Sequence, residues 1–257
     1  MTFFQDFLSL LLGTLAIFLK SERAVFVMVL CGGIALAGLC WWACSVYSHL
    51  WNKQFRVAAI HHIMCGLAAL VTLLAVVVFV ALKNARMAAS ISLEAWKIEL
   101  AADRSWANET FQAAYDKVHA LGLEDFGKFP PPPAGHTIPT VNERSQIEYA
   151  WTYAASAANH FNRRRPYLSS IASASADIPR DLIRRDMKLH FETISKNYPS
   201  DKAIALAGRE IRNGLEVKLP RVVKVLRIQL IVVFLMFQLV PFGLVGWAAY
   251  SDLKAKT

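Results

Sequence analysis

The chain has 257 residues, 55% hydrophobic and 18% charged, with a formal net charge of +9 at pH 7 and a mean hydropathy of +0.35. A soluble domain keeps its surface wet with about 25% charged residues, so a wholly soluble fold is a poor fit. Nucleic-acid binding is also excluded: the cations gather beside apolar runs, where anionic lipid headgroups account for them, and no nucleic-acid-binding motif accompanies them.

The N-terminal stretch TFFQDFLSLLLGTLAIFLK has a short apolar segment, Phe7 to Leu19. Thr2, Gln5, Asp6, Ser9 and Gly13 share one helical face, opposite Phe3, Leu8, Leu11 and Leu12. That pattern predicts an amphipathic helix within residues 1–23, lying in the membrane interface. The alternative is a fourth span whose polar stripe faces other protein. The segment lacks the basic start and small-residue cleavage site of a secretory signal.

Three runs contain no Asp, Glu, Lys or Arg: Ala24 to Asn52, Val57 to Leu82 and Ile228 to Ser251. Each exceeds the ~20 residues that cross a ~30 Å hydrocarbon layer. The expected fold is therefore an all-α integral membrane protein with three transmembrane helices. The first two form a hairpin over residues 24–82; the third, with a short tail, occupies 223–257.

Between them, residues 83–222 hold 20 Lys/Arg and 16 Asp/Glu, the mark of an extramembrane domain. Its periodicity is helical. Leu93, Trp96, Leu100, Ala107, Phe111, Ala114, Val118 and Leu121 predict one long helix, with Gly122 as its C-cap. A proline-rich arm follows at 129–139, since FPPPPAGHTIP cannot be helix interior and reads as polyproline II. A second helix is expected from Asn142 to Arg165, with Ile147, Ala150, Trp151, Ala154, Ala158 and Phe161 as its stripe and Pro166 as its stop. SSIASASADIP reads as a loop. Asp177 is the expected cap of a third helix carrying Ile183, Met187, Phe191 and Ile194, and Ser200 that of a short fourth ending near Gly214. No stretch alternates with period two, so few or no strands are expected. Beyond Pro220 a basic helical segment leads into the last span, which Pro241 is positioned to kink.

Counting Lys and Arg near the span ends gives ten on the domain's side, Lys20, Arg23 and Lys83 among them, against Lys53, Arg56, Lys254 and Lys256 on the other. Positive charge stays inside, so the domain is expected in the cytoplasm; discounting its long flanks reverses the vote. A bacterial inner membrane is the expected location, from the chain's size and simple layout.

Three of the four cysteines fall in CWWACSVYSHLWNKQFRVAAIHHIMC, residues 40–65. Cys40 and Cys44 share a helix face, as do His61 and Cys65. If the faces meet, Cys40, Cys44, His61 and Cys65 form a ligand set suited to zinc or copper, and His49 with His61 or His62 a set for haem. Set against this, cysteine is common in buried helices as a small hydrophobe. The leading expectation is no cofactor, with haem, zinc or copper as the minority reading. Trp41, Trp42, Tyr47 and Trp51 fit an interfacial aromatic belt. Gly33 and Ala37 are a small-residue pair for helix packing, within the chain or between copies. Arg163, Arg164, Arg165, Arg221 and Lys224 are the candidate contacts for anionic headgroups or an acidic partner.

No nucleophile elbow, phosphate loop, zinc-protease motif or catalytic carboxylate pair is present. The expected function is a non-enzymatic assembly or scaffold subunit of a larger membrane complex of secretion or transport type. Its partners are other membrane subunits, further copies of itself and anionic lipid. A homo-oligomeric channel or gated pore is the alternative. A haem or copper protein using the 40–65 hairpin is a lesser one.

Overall fold

The computed structural model of the protein describes residues 2–51, 59–120, 137–139, 143–173, 178–193 and 197–256. In chain order the elements are α1 (Phe3–Ser21), α2 (Arg23–Trp51), α3 (Ala59–Ala81), a 3₁₀ turn (Leu82–Asn84), α4 (Ala85–Ala102), α5 (Arg104–Ala120) and β1 (Thr137–Pro139). There follow α6 (Glu143–Arg164), α7 (Pro166–Ala172), α8 (Arg180–Thr193), β2 (Asn197–Pro199) and α9 (Ser200–Lys256). The two strands pair antiparallel with Ile138 opposite Tyr198. Apart from this three-residue ladder the described chain is helical. Four helical stretches are long and apolar enough to cross a membrane: Phe3–Ser21, Arg23–Trp51, Ala59–Ala102 and Asp201–Ala255. The N-terminal helix thus joins the three expected from the uncharged runs.

The chain divides into two compact units. One comprises residues 1–10 and 88–220, the other residues 11–87 and 221–257. The first, polar unit has its own core. Trp96 packs edge-on against Phe161 at 5.1 Å, and Trp106 against Tyr153 at 5.9 Å. Leu93, Leu100, Val118, Leu168 and Ile183 are buried with them. Alanines at 150, 154, 157 and 158 give α6 a flat face that lets its neighbours come close.

Three details of this unit differ from the sequence expectation. The long helix from Leu93 is two, because Asp103 stands outside both and caps the second: its Oδ1 accepts from the backbone N–H of Ser105 at 3.0 Å and of Trp106 at 3.1 Å. Pro166 stops α6 and also starts α7, where its missing N–H and fixed φ suit the first helical position. Part of the expected loop is therefore helical, ending at Ser173 with a left-handed φ of 50°. Finally, Gly214 does not end a short helix. It lies inside the 57-residue α9, where a Cβ would be pressed into the carbonyl of Ala172. Glycine is needed there for close approach, not as a stop. The helix also runs through Pro220 and Pro241, each of which removes one N–H from the ladder. Gly122, Asp177, Ile194 and most of the proline arm lie outside the described residues.

In the second unit α2 and α3 pack as a hairpin with small residues inside. Gly33, Ala37, Cys44 and Ser48 are the buried positions of α2; Cys65, Ala68, Thr72 and Ala81 are those of α3. A Cβ on Gly33 would come within 2.8 Å of Leu73 Cδ1, so the glycine admits an α3 side chain. The outer faces are apolar: Val27, Ile34, Leu39, Leu67, Leu74, Leu235, Phe237 and Leu239 are all exposed.

Candidate functional site

Inside the second unit, α9 meets the hairpin through one polar side chain. Gln238, 8% exposed, donates from Nε2 to the Ala68 carbonyl at 2.9 Å and to Thr72 Oγ1 at 3.0 Å. Its Oε1 accepts from Cys40 Sγ at 3.5 Å. The amide thus ties α2, α3 and α9 together at one level. Thr72 turns its own hydroxyl hydrogen back to Ala68 O, which leaves its oxygen free to accept.

Beside this seam Cys44 and Cys65 are fully buried with Val245, flanked by Met64 and Phe242. Of the four residues considered as metal ligands, Cys44 and Cys65 come together and Cys40 turns to Gln238. His61 is part-buried. The hairpin sets Cys65 beside Cys44. Among the described residues no three His, Cys, Asp or Glu side chains group as a metal site would require. The aromatic residues at this end are layered, with Tyr47 against Phe242 at 5.7 Å and Trp51 against Tyr250 at 6.2 Å.

The opposite end of the unit is basic. Lys20, Arg23, Lys83, Arg221 and Lys224 are all exposed there. Lys83 pairs with Glu22 and lies 5.8 Å from the centre of the Phe18 ring. The Arg227 guanidinium lies 5.1 Å over Phe79. These contacts bring the end of α1, the end of α3 and the cationic turn of α9 together.

In the polar unit the first ten residues dock through Asp6, which is fully buried. Asp6 Oδ2 accepts from the backbone N–H of Tyr167 at 3.0 Å and of Leu168 at 3.1 Å. Oδ1 accepts from Arg165 Nη1 at 3.4 Å. A helix start leaves its first N–H groups without intrahelical partners, and here they are all accounted for. Pro166 has none, Tyr167 and Leu168 are taken by Asp6, and Ser169 N donates to Arg165 O at 2.9 Å. The carboxylate is an N-cap supplied by a different helix, at the end of the macrodipole that favours negative charge. Phe3 and Phe7 hold Tyr167 between them, each ring at 5.1 Å.

A second buried carboxylate, Glu148, joins three helices. It accepts from Lys117 Nζ at 3.3 Å and from Arg180 Nη1 at 2.6 Å. Both cations also lie over Trp151, Lys117 at 3.8 Å from the ring centre and Arg180 at 5.2 Å. The Trp151 Nε1–H donates to Ile178 O at 3.1 Å. Around His160 the surface opens into a cleft of about 340 Å³ lined by Asp103, Glu109, His160, Arg163 and Arg164 among others. His160 Nδ1 accepts from Trp96 Nε1 at 3.0 Å, so its proton is on Nε2. Partial burial pushes the pKa of His160 down; Asp103 and Glu99 work against that, and Arg163 and Arg164 reinforce it. The neutral ring is thereby kept as an acceptor.

The remaining candidates from the sequence are now placed. Gly33 and Ala37 face into the hairpin, with Gly33 against Leu73 and Val76 of the same chain. Arg163 is exposed, Arg164 pairs with Glu99 at 2.7 Å, and Arg165 is committed to Asp6. Arg221 and Lys224 remain exposed, with no ion pair among the described residues. Glu148 and Arg227 were not singled out from the sequence; Asp6 was read only as part of the polar face of the N-terminal helix, and Gln238 only as a lining residue of the alternative pore. No family model, curated protein or solved structure matches this chain.

Proposed function

We propose that the protein is a non-enzymatic integral membrane subunit that scaffolds or assembles a larger membrane complex of secretion or transport type. Its membrane is a bacterial inner membrane, in keeping with its size and simple layout. Its polar unit lies in the cytoplasm. The observation that carries this reading is helical continuity. At 1.5 Å per residue, the 57 residues of α9 extend about 85 Å, far more than a ~30 Å hydrocarbon layer. The Ala59–Ala102 stretch is likewise helical from its apolar start into the polar unit. Such continuous helices suit a subunit that joins a membrane-bound segment to a water-facing one. The buried polar groups serve the same purpose: Asp6, Glu148 and Gln238 each join helices.

Two sets of contacts bear on α1. Asp6 ties its start to α7 in the polar unit. Its end is tied through Glu22 and Phe18 to Lys83, just after α3. This supports an interfacial α1. Its buried stripe of Asp6, Leu10, Thr14 and Phe18 faces protein, and exposed Phe4, Leu8 and Leu12 face lipid. Three spans then remain, and Lys83 and Arg221 of the basic end adjoin, along the chain, the residues that lead into and out of the polar unit, in accord with the positive-inside rule.

The test is the mass of the purified full chain in detergent by light scattering, with identification of co-purifying proteins. The reading expects an assembly with defined membrane partners; a lone monomer with none would overturn it.

A further inference from the structure

A groove of about 200 Å³ runs between α3 and α9 on the outer face of the second unit. Thr72, Val76, Phe79 and Val80 line one side, Ile231 and Phe234 the other. The only hydroxyl among these residues, on Thr72, is already engaged by Ala68 O and Gln238, so the wall offers no polar group to a ligand. Over Thr72 to Val80 the helix rises about 12 Å, enough for the upper half of a lipid acyl chain.

The basic end of the unit supplies the other half of a site. Arg227 lies one turn before Ile231 on α9, and its guanidinium covers Phe79, a residue of the groove wall. Arg227 Nε is buried and has no hydrogen-bond partner among the described residues. A buried guanidinium N–H without an acceptor costs free energy, and a phosphate oxygen is the acceptor for which a guanidinium is shaped. Lys224, a further turn along, is exposed and without an ion pair among the described residues.

We infer that this groove is a binding site for one anionic phospholipid, with an acyl chain between α3 and α9 and the headgroup phosphate on Arg227 and Lys224. Charge identifies the occupant. A helix of a second copy, or a lipid without phosphate, would fill the apolar groove but leave Arg227 Nε unanswered; a zwitterionic phospholipid brings the phosphate but also a cation of its own beside Arg227 and Lys224. The inference rests on the membrane location proposed above.

The experiment has two stages. Alkaline carbonate extraction of membranes containing the full chain comes first: release into the supernatant overturns the membrane location and this site with it. Retention leads to native mass spectrometry of the purified chain in detergent, titrated with dioleoyl phosphatidylglycerol or dioleoyl phosphatidylcholine. Phosphatidylglycerol is expected to bind the more tightly. Arg227→Gln should weaken it about fivefold, as loss of one headgroup cation implies, and weaken phosphatidylcholine, whose choline cation already offsets its phosphate, by less. Ile231→Trp, which fills the groove, should weaken both. Excess inorganic phosphate should not compete. Equal retention of the two lipids, indifference to Arg227→Gln, or an Ile231→Trp effect only on oligomeric state would each overturn the site. Circular dichroism matching the unsubstituted chain confirms that each variant is folded.

Discussion

Removing the Asp6 carboxylate should free the start of α1 and expose the start of α7. The side chain is fully buried and takes two backbone N–H groups and one guanidinium N–H. Asp6→Ala takes the acceptor from both backbone N–H groups, at roughly 1–3 kcal/mol per orphaned group, and the carboxylate from Arg165, whose Nη1 keeps Ser9 Oγ at 3.4 Å; a broken buried ion pair taken whole costs ~3–5 kcal/mol. About 3 kcal/mol of local opening free energy corresponds to exchange about a hundredfold faster at the Tyr167 and Leu168 amides. Asp6→Asn separates the contributions. Both backbone bonds go to Oδ2, so an amide oxygen keeps the cap, while the amide nitrogen faces Arg165 as donor to donor. Its cost should be nearer ~1–2 kcal/mol, as for one lost charged hydrogen bond. Hydrogen–deuterium exchange on a peptide from Arg163 to Ala172 reads both variants. Unchanged exchange in Asp6→Ala would refute the capping role; equal loss in both would refute the split.

Three further outcomes follow from the same geometry. Gly214→Ala drives a methyl into the Ala172 backbone carbonyl, which cannot yield, and should cost ~1–3 kcal/mol. Gly33→Ala meets only the tip of Leu73 and should cost under ~1 kcal/mol, a ranking that thermal melts in detergent resolve at about 2–4 °C per kcal/mol. Gln238→Leu removes three buried hydrogen bonds worth ~0.6 kcal/mol each, so a loss of more than about 3 kcal/mol would show that the seam has been misjudged. His160 has a lowered pKa in the fold, so the unfolded chain takes up its proton first as pH falls. Stability should therefore be lost between the ordinary histidine value of ~6.5 and the lower folded value. His160→Gln keeps an acceptor for Trp96 without titrating, and an unaltered pH profile in that variant would contradict the assignment.

The elements were legible wherever periodicity or charge depletion spoke over many residues. Leu93, Trp96, Leu100, Phe111 and Val118 are all buried as their spacing requires, and the uncharged runs became long apolar helices. Single residues with two possible roles were misread. Asp103 looked like one more polar face position, yet it divides α4 from α5 because its side chain satisfies two backbone donors better than a continuous helix would. Pro166 and Gly214 are both helix breakers by propensity, but one serves as a first residue and the other as a contact point. The site was less legible still. Cys40 with Cys44, and His61 with Cys65, stood at suggestive spacing, but spacing along two helices does not fix which turns face each other. Asp6 and Arg165 are 159 positions apart, and nothing local announces such a pair.

The most direct test is the side of the membrane on which three points lie: the N-terminus, exposed Ser105 of the polar unit and the C-terminus. Reporter fusions at the two termini and an impermeant thiol label on Ser105→Cys, in intact and opened membrane vesicles, locate all three. The scaffold topology predicts the N-terminus and Ser105 together on the cytoplasmic side, with the C-terminus opposite. The two termini together, opposite Ser105, would mean that α1 crosses the membrane and would contradict the account at its base.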